Sequence, residues 1–196
     1  MGRLRHRAPT EIMPMTLLAA LVALLLPLHP AAGPAQIIVI RHAEKPDDKS
    51  NPHLAPAGVE RARRLVAYLT TEKALLAFGP PAAIFATATT SHEGGQRSQE
   101  TVAPLAEALR LPVRADLTSK EFARFAKRLR ADRSLDGKSV VVCWNHEWLP
   151  QLAEALGVSP QPPRWKKHDY DQVYVITYEG GRATLAVLHE RLGRTR

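Results

Sequence analysis

Gln36-Ile-Ile-Val-Ile-Arg-His-Ala-Glu-Lys45 is the stretch that decides the fold of this 196-residue chain. Four successive β-branched residues, Ile37 to Ile40, have the composition of a strand buried on both faces, as in the middle of a parallel sheet. The run stops abruptly at Arg41 and His42, with Glu44 and Lys45 just beyond. Open α/β sheets bind their ligands at the carboxyl ends of such strands. Taken alone, the stretch reads equally well as a strand running out into a solvated polar loop.

Two further apolar runs have the same character. Ala82-Ala-Ile-Phe-Ala-Thr-Ala88 leads into the polar loop Thr89-Thr-Ser-His-Glu-Gly-Gly-Gln-Arg97, and Ser139-Val-Val-Val-Cys-Trp144 ends in Asn145-His146-Glu147. Between the runs lie segments with helical spacing. Val59, Ala62, Leu65, Val66 and Leu69 recur after a start near Pro56 to Gly58, with Arg61, Arg63 and Arg64 on the outer face. Val102, Leu105, Ala106 and Leu109 mark a helix opening at Ser98 or Gln99, a start that keeps Pro104 close to its first turn. Ser119 to Arg130 is predicted as a third helix, with Ser119 as N-cap, and Leu149, Leu152, Ala153 and Leu156 as a fourth. Pro112-Val-Arg114 reads as a short strand. Val173 to Tyr178 and Ala183 to Leu188 flank Glu179-Gly180-Gly181, a hairpin signal. Strands alternating with helices predict a three-layer α/β/α sandwich with a mostly parallel central sheet and a C-terminal β-hairpin.

Residues 1–35 have the layout of an export signal. A basic start precedes the apolar run Thr16 to Leu28 and the small-residue patch Ala31-Ala-Gly-Pro-Ala35. The expectation is one domain over 36–196, exported after cleavage near 33–36, and periplasmic in a Gram-negative source. The apolar run is too short to span a bilayer comfortably, so membrane contact would come only through an uncleaved leader. Cys143 is the single cysteine and forms no internal disulfide. The net charge of +8 favours anionic ligands, and it remains basic when the leader is set aside. It is spread along the chain, with no dense basic run interleaved with aromatics, which argues against nucleic acid. Oligomeric state is not legible.

In a parallel sheet, the loops after the three buried strands share one edge. Arg41 and His42, then His92 and Arg97, then His146 and Glu147 therefore converge. Several cations in one pocket are costly unless an anion binds, and guanidinium forks suit phosphate oxygens. Lys45 and His92 belong at the entrance, as substrate contacts or as solvated loop positions.

Arg41-His42-Ala-Glu, the Leu54-Ala-Pro-Ala-Gly58 helix entry, Arg97-Ser-Gln-Glu-Thr101 and the strand-terminal His146 resemble, in that order, the histidine phosphatase (phosphoglycerate mutase-like) superfamily. The resemblance spans residues 36 to about 157. It implies a phosphomonoesterase in which His42 attacks phosphorus and forms a phosphohistidine that water hydrolyses, with no cofactor and no metal. It assigns Arg41 and Arg97 to clamping the equatorial oxygens and His146 to a further hydrogen bond, as phosphoryl transfer requires. Nearby arginines should also keep His42 unprotonated. The mutases typically have Gly where this chain has Ala43, so a phosphatase-type relative is the better comparison.

The leaving-group acid stays open between Glu147, which follows the second histidine, and Glu121, downstream of the second arginine. Each has a plainer reading, as a carboxylate at a helix start. Cys143 beside His146 suggests a Cys-His pair, but its apolar strand favours a buried structural thiol. Trp144, Trp148, Trp165, Tyr170 and Tyr174 read as a substrate wall or as packing. A non-catalytic phospho-ligand binding protein would use the same pocket. A metal site from His42, Glu44, His92 and His146 lacks a compact ligand pattern, and two arginines would repel the cation. The substrate, small phosphoester or phosphorylated macromolecule, is not chosen by the loops 46–55, 89–96 and 160–171.

Overall fold

The structure is a computed structural model that describes residues 33–91 and 94–190. The export signal expected over 1–35 thus lies outside the described residues except at 33–35, and His92 lies outside them too.

β1 (Gln36–Arg41) is buried at all six positions, as a β-branched run in the middle of a sheet should be. It pairs in parallel with β4 (Ser139–Trp144), also buried throughout, and antiparallel with β5 (Gln172–Glu179). β4 pairs in parallel with β2 (Pro81–Ala86), which carries the two-residue β3 (Val113–Arg114). β6 (Arg182–His189) closes the other side as a hairpin with β5. Gly180 and Gly181 both take positive φ in that turn, a conformation that residues with a Cβ adopt reluctantly. The strand order is β3-β2-β4-β1-β5-β6.

Successive side chains of β1 serve two cores. Ile38 and Ile40 pack with Leu65 and Leu69 of α1 (Pro56–Thr71) and Val102 and Leu105 of α2 (Gln96–Leu109). Ile37 and Val39 pack with Phe125 and Leu129 of α3 (Phe122–Ala131) and Leu149 and Leu152 of α4 (Leu149–Ala155). These are the three layers, with the period of two along the strand sorting residues to the two faces.

The chain leaves β1 in one direction through α1, β2, α2 and β3, then returns through α3 to insert β4 between β2 and β1. The direction therefore reverses beside β1, and the carboxyl ends of β1, β2 and β4 meet at one edge of the sheet.

Several strand ends differ from the sequence reading by a residue or two, the second strand running Pro81–Ala86 and not 82–88, and two helix starts differ as well. α2 starts at Gln96, so Pro104 lies well inside it. An interior proline costs a helix hydrogen bond, but Val102, Leu105 and Ala106 around it are held in the core, and tertiary packing overrides the local preference. Thr118, not Ser119, caps the third helical segment. It forms a capping box with Glu121 over the 3₁₀ turn Ser119–Glu121 that precedes α3. No helix among the described residues is long and apolar enough to cross a membrane.

Candidate active site

The strand β1 delivers Arg41 and His42 to the sheet edge, and both are almost enclosed, with 2% and 6% of their surfaces exposed. The His42 N–H donates to the carbonyl of Trp144, extending the β1–β4 ladder by one residue (3.3 Å). The next N–H, that of Ala43, donates to the Thr101 hydroxyl (2.9 Å), which in turn donates to the Arg97 carbonyl (2.7 Å). The Arg97-to-Thr101 turn of α2 therefore fixes the backbone on the far side of His42. Ala43 itself is fully buried with Leu54 and Ala62, so its methyl group is accommodated where a glycine would leave a gap. Gly58 completes this fit, because a Cβ there would lie 2.4 Å from the Glu44 carbonyl oxygen.

The His42 ring has one defined tautomer. Nδ1 lies 2.8 Å from the Ala43 carbonyl oxygen, which can only accept, so Nδ1 carries the proton and Nε2 holds a lone pair. Burial, followed by the charge of Arg41, the neighbouring His146 and Arg97, pushes the His42 pKa down to about 3. His146 stands edge-on to it, with ring centroids 6.1 Å apart. Burial and the charges of Arg41, Lys45 and Lys167 push the His146 pKa down to about 4. Its Nδ1 is buried without a partner.

Arg41 is held by one end of its guanidinium only. Nη1 donates to the carbonyls of Lys166 (3.3 Å), Lys167 (2.7 Å) and Asp169 (3.0 Å), and the Tyr170 ring stacks on the group 4.0 Å from its carbon. Nε and Nη2 are buried with no partner. Those two N–H groups form the side edge of the guanidinium, the fork that grips two oxygens of a phosphate or carboxylate. A buried donor pair without partners is expensive to maintain unless a ligand takes it up.

Arg97 lies in the first turn of α2 and is used differently. Its Nη2 donates to the Asn51 carbonyl (2.7 Å) and its Nε to that of His53 (3.2 Å). Its charge still reaches the site, because it helps depress His42 and Lys45. Glu147 is exposed; its N–H donates to the Asn145 side-chain oxygen (3.0 Å), and it lines a cleft of about 620 Å³ together with His146 and Lys45. Glu121 is tied into the capping box and paired with Arg124 (3.1 Å), which lowers its pKa, the wrong direction for a proton donor.

The aromatic wall expected from the sequence splits up. Trp144 is fully buried and donates to the Ser119 carbonyl (3.0 Å), Tyr174 packs on Trp165, and Trp148 stacks on Phe122. Of the five, Trp165 lines the cleft and Tyr170 covers Arg41. Cys143 is buried and its thiol is pushed up by desolvation, which suits packing. Among the described residues, no group of three or more His, Cys, Asp and Glu side chains is placed to hold a metal ion.

Thr101 and the carbonyls of 166–169 carry parts of this geometry that the sequence did not assign. Thr101 lies inside the Arg97-Ser-Gln-Glu-Thr101 motif, but backbone acceptors leave no mark in a sequence.

No protein family model matches the chain, and neither does any curated protein. Solved structures do. Over 82% of this chain and 100% of its own length, the alpha-ribazole phosphatase of Shigella flexneri superposes with a TM-score of 0.56 at 16% identity. A phosphoserine phosphatase from Entamoeba histolytica, solved with phosphoserine, matches 80% of this chain and 98% of its own with a TM-score of 0.54 at 10% identity. The phosphoglycerate mutase of Bacillus anthracis matches 81% and 94% with a TM-score of 0.53 at 12% identity. The fold is the one that these two phosphatases and the mutase share. At these identities the likeness concerns the fold alone, and the chemistry rests on the side chains described above.

Proposed function

We propose that the chain is a metal-independent phosphomonoesterase that works through a phosphohistidine on His42. One observation carries the reading: a histidine with a free Nε2 lone pair lies beside a buried guanidinium edge with nothing on it. In the first step, Nε2 attacks phosphorus as the P–O ester bond breaks, and the leaving oxygen takes up a proton. In the second, a water oxygen replaces Nε2 on phosphorus, the P–N bond breaks and the water proton departs. Arg41 takes two non-bridging oxygens through Nε and Nη2, and Arg97 and His146 supply further positive potential and a donor. A bound dianion opposes the part of each shift that comes from neighbouring cations, while burial, the larger cause, continues to favour the neutral His42. Glu147 is our choice for the leaving-group proton, since Glu121 is engaged elsewhere.

The exposure of Glu147 favours a second reading, a phospho-ligand binding protein with the same pocket and no turnover. Phosphate release from p-nitrophenyl phosphate with chelator present, beside His42→Ala, separates the two. Chelator-resistant turnover that vanishes in the variant, with an acid-labile phosphoryl label on the wild-type protein, supports the esterase. Phosphate binding without release in either protein supports the binder. Export is part of the proposal and rests on the layout of residues 1–35. N-terminal sequencing of the secreted fraction tests it, and intact Met1 on a cytosolic protein would refute it.

A further inference from the structure

Beside His146 the cleft is more basic than one phosphate requires. Lys45 comes from the loop after β1, and Arg164 and Lys167 come from the segment between α4 and β5. Among the described residues none of the three pairs with a carboxylate, and Glu147 is the only acidic side chain on the cleft wall. Lys45 has its pKa lowered by burial and then by Arg97, Lys167 and Arg41, the direction that crowded cations impose. A phosphomonoester dianion is matched by Arg41 and Arg97. Lys45, Arg164 and Lys167 against Glu147 then leave a surplus close to two positive charges, enough for a second dianion.

The segment that carries Arg164 and Lys167 is built rather than draped. Trp165 between them is 5% exposed, packs on Tyr174 and donates to the Asp169 carbonyl (2.8 Å). The Lys167 carbonyl accepts from Arg41, so the backbone bearing the second set of cations is attached to the back of the first phosphate clamp. The volume of about 620 Å³ suits a phosphorylated sugar-sized molecule.

We infer that Lys45, Arg164 and Lys167 form a second anion subsite, and that the substrate is a small phosphoester whose carrier bears a second phosphate. The inference rests on the esterase reading for its kinetic arm only. The test compares fructose 1,6-bisphosphate with fructose 6-phosphate, both in turnover and in calorimetric binding to the full-length His42→Ala protein. Arg164→Gln/Lys167→Gln is measured in parallel, and circular dichroism checks its fold; single variants replace it if it does not fold. The expected result is a preference for the bisphosphate of at least tenfold in kcat/KM and in Kd, falling toward parity in the charge-removed variant. If no ester is turned over but the binding preference and its loss are seen, the subsite stands and the esterase reading falls. Equal treatment of the two sugars by the unsubstituted cleft, or a preference that survives Arg164→Gln/Lys167→Gln, overturns the subsite.

Discussion

Arg41 and Arg97 both bear on His42 through their charge, and each donates to the carbonyls of a loop, but with different edges of the guanidinium. Arg41 spends Nη1 on residues 166–169 and keeps the Nε–Nη2 fork unpartnered. Arg97 commits that same fork to residues 51 and 53. Position explains the difference. Arg41 ends a buried strand, with Tyr170 lying over it and backbone carbonyls reachable only by its tip. Arg97 opens a helix at the surface, where the 46–53 loop folds over its side. Identical side chains thus present an unpartnered fork in one case and a loop fastener in the other; on the esterase reading the first is a preorganised clamp, which stabilises a transition state without reorganisation at the moment of reaction.

The largest effect should follow from breaking the Arg41 side. Arg41→Gln removes two charge-assisted donors and the anchor of the 166–169 segment together. On the esterase reading, kcat/KM for p-nitrophenyl phosphate should fall by roughly a thousandfold or more. Limited proteolysis should also cut faster near residues 160–171. Arg97→Gln should lose about a hundredfold and loosen the 46–53 loop instead. Equal losses, or a larger loss for Arg97, would mean that the unpartnered fork of Arg41 is not the principal phosphate grip.

Glu147→Gln sharpens the comparison at the leaving group. General acids contribute about 10²–10⁴-fold when the leaving group is a poor one, and little when it departs unaided. Turnover of an alkyl phosphate should therefore drop about a hundredfold, while that of p-nitrophenyl phosphate changes less than fivefold. A uniform loss across both esters would remove Glu147 from the acid role.

Thr101→Val tests how the two arginines are joined through the backbone. The variant leaves the buried Ala43 N–H without its acceptor, at a cost of about 1–3 kcal/mol. Denaturant unfolding should show that loss, with Thr101→Ser restoring most of it. Full stability in the valine variant would show that the Ala43–Thr101 bond does not hold the His42 backbone.

How much of this was readable beforehand follows the range of the forces involved. β1 and β4 were legible to the residue or nearly so, because continuous β-branched runs have few other uses. Their meeting at one sheet edge follows from parallel topology, so the convergence of Arg41, His42 and His146 was legible as well. The interior Pro104 was not, since core packing around it outweighs a local preference. Nor was the orientation of either guanidinium, which depends on carbonyls 44 to 46 residues from Arg97 and more than 120 from Arg41. The loop 160–171 reads as a place for specificity, but its hold on Arg41 through the carbonyls of 166, 167 and 169 is not legible, for a related reason. Its prolines read as a generic loop, although Arg164-Trp-Lys-Lys-His168 concentrates charge around one aromatic anchor.

The smallest expected effect concerns protonation, and it bears on both arginines at once. With both arginines present, the His42 pKa is about 3 and that of His146 about 4, below the ordinary imidazole value of about 6.5. Between those limits and pH 6.5 the unfolded chain takes up protons that the folded chain refuses. The two histidines therefore contribute stability that is complete above pH 6.5 and is lost as pH falls through the acid range. The same shift leaves the His42 imidazole neutral in moderate acid. Nitrogen-15 NMR of the phosphate-free protein should show His42 neutral and protonated on Nδ1, with no titration between pH 8 and pH 5. In Arg41→Gln its midpoint should rise only modestly, because burial is the larger cause and Arg41 the largest charge behind it. A wild-type midpoint above pH 5 would mean that the site is wetter than its geometry implies, and that the lone pair on Nε2 is not held ready but is uncovered when substrate arrives.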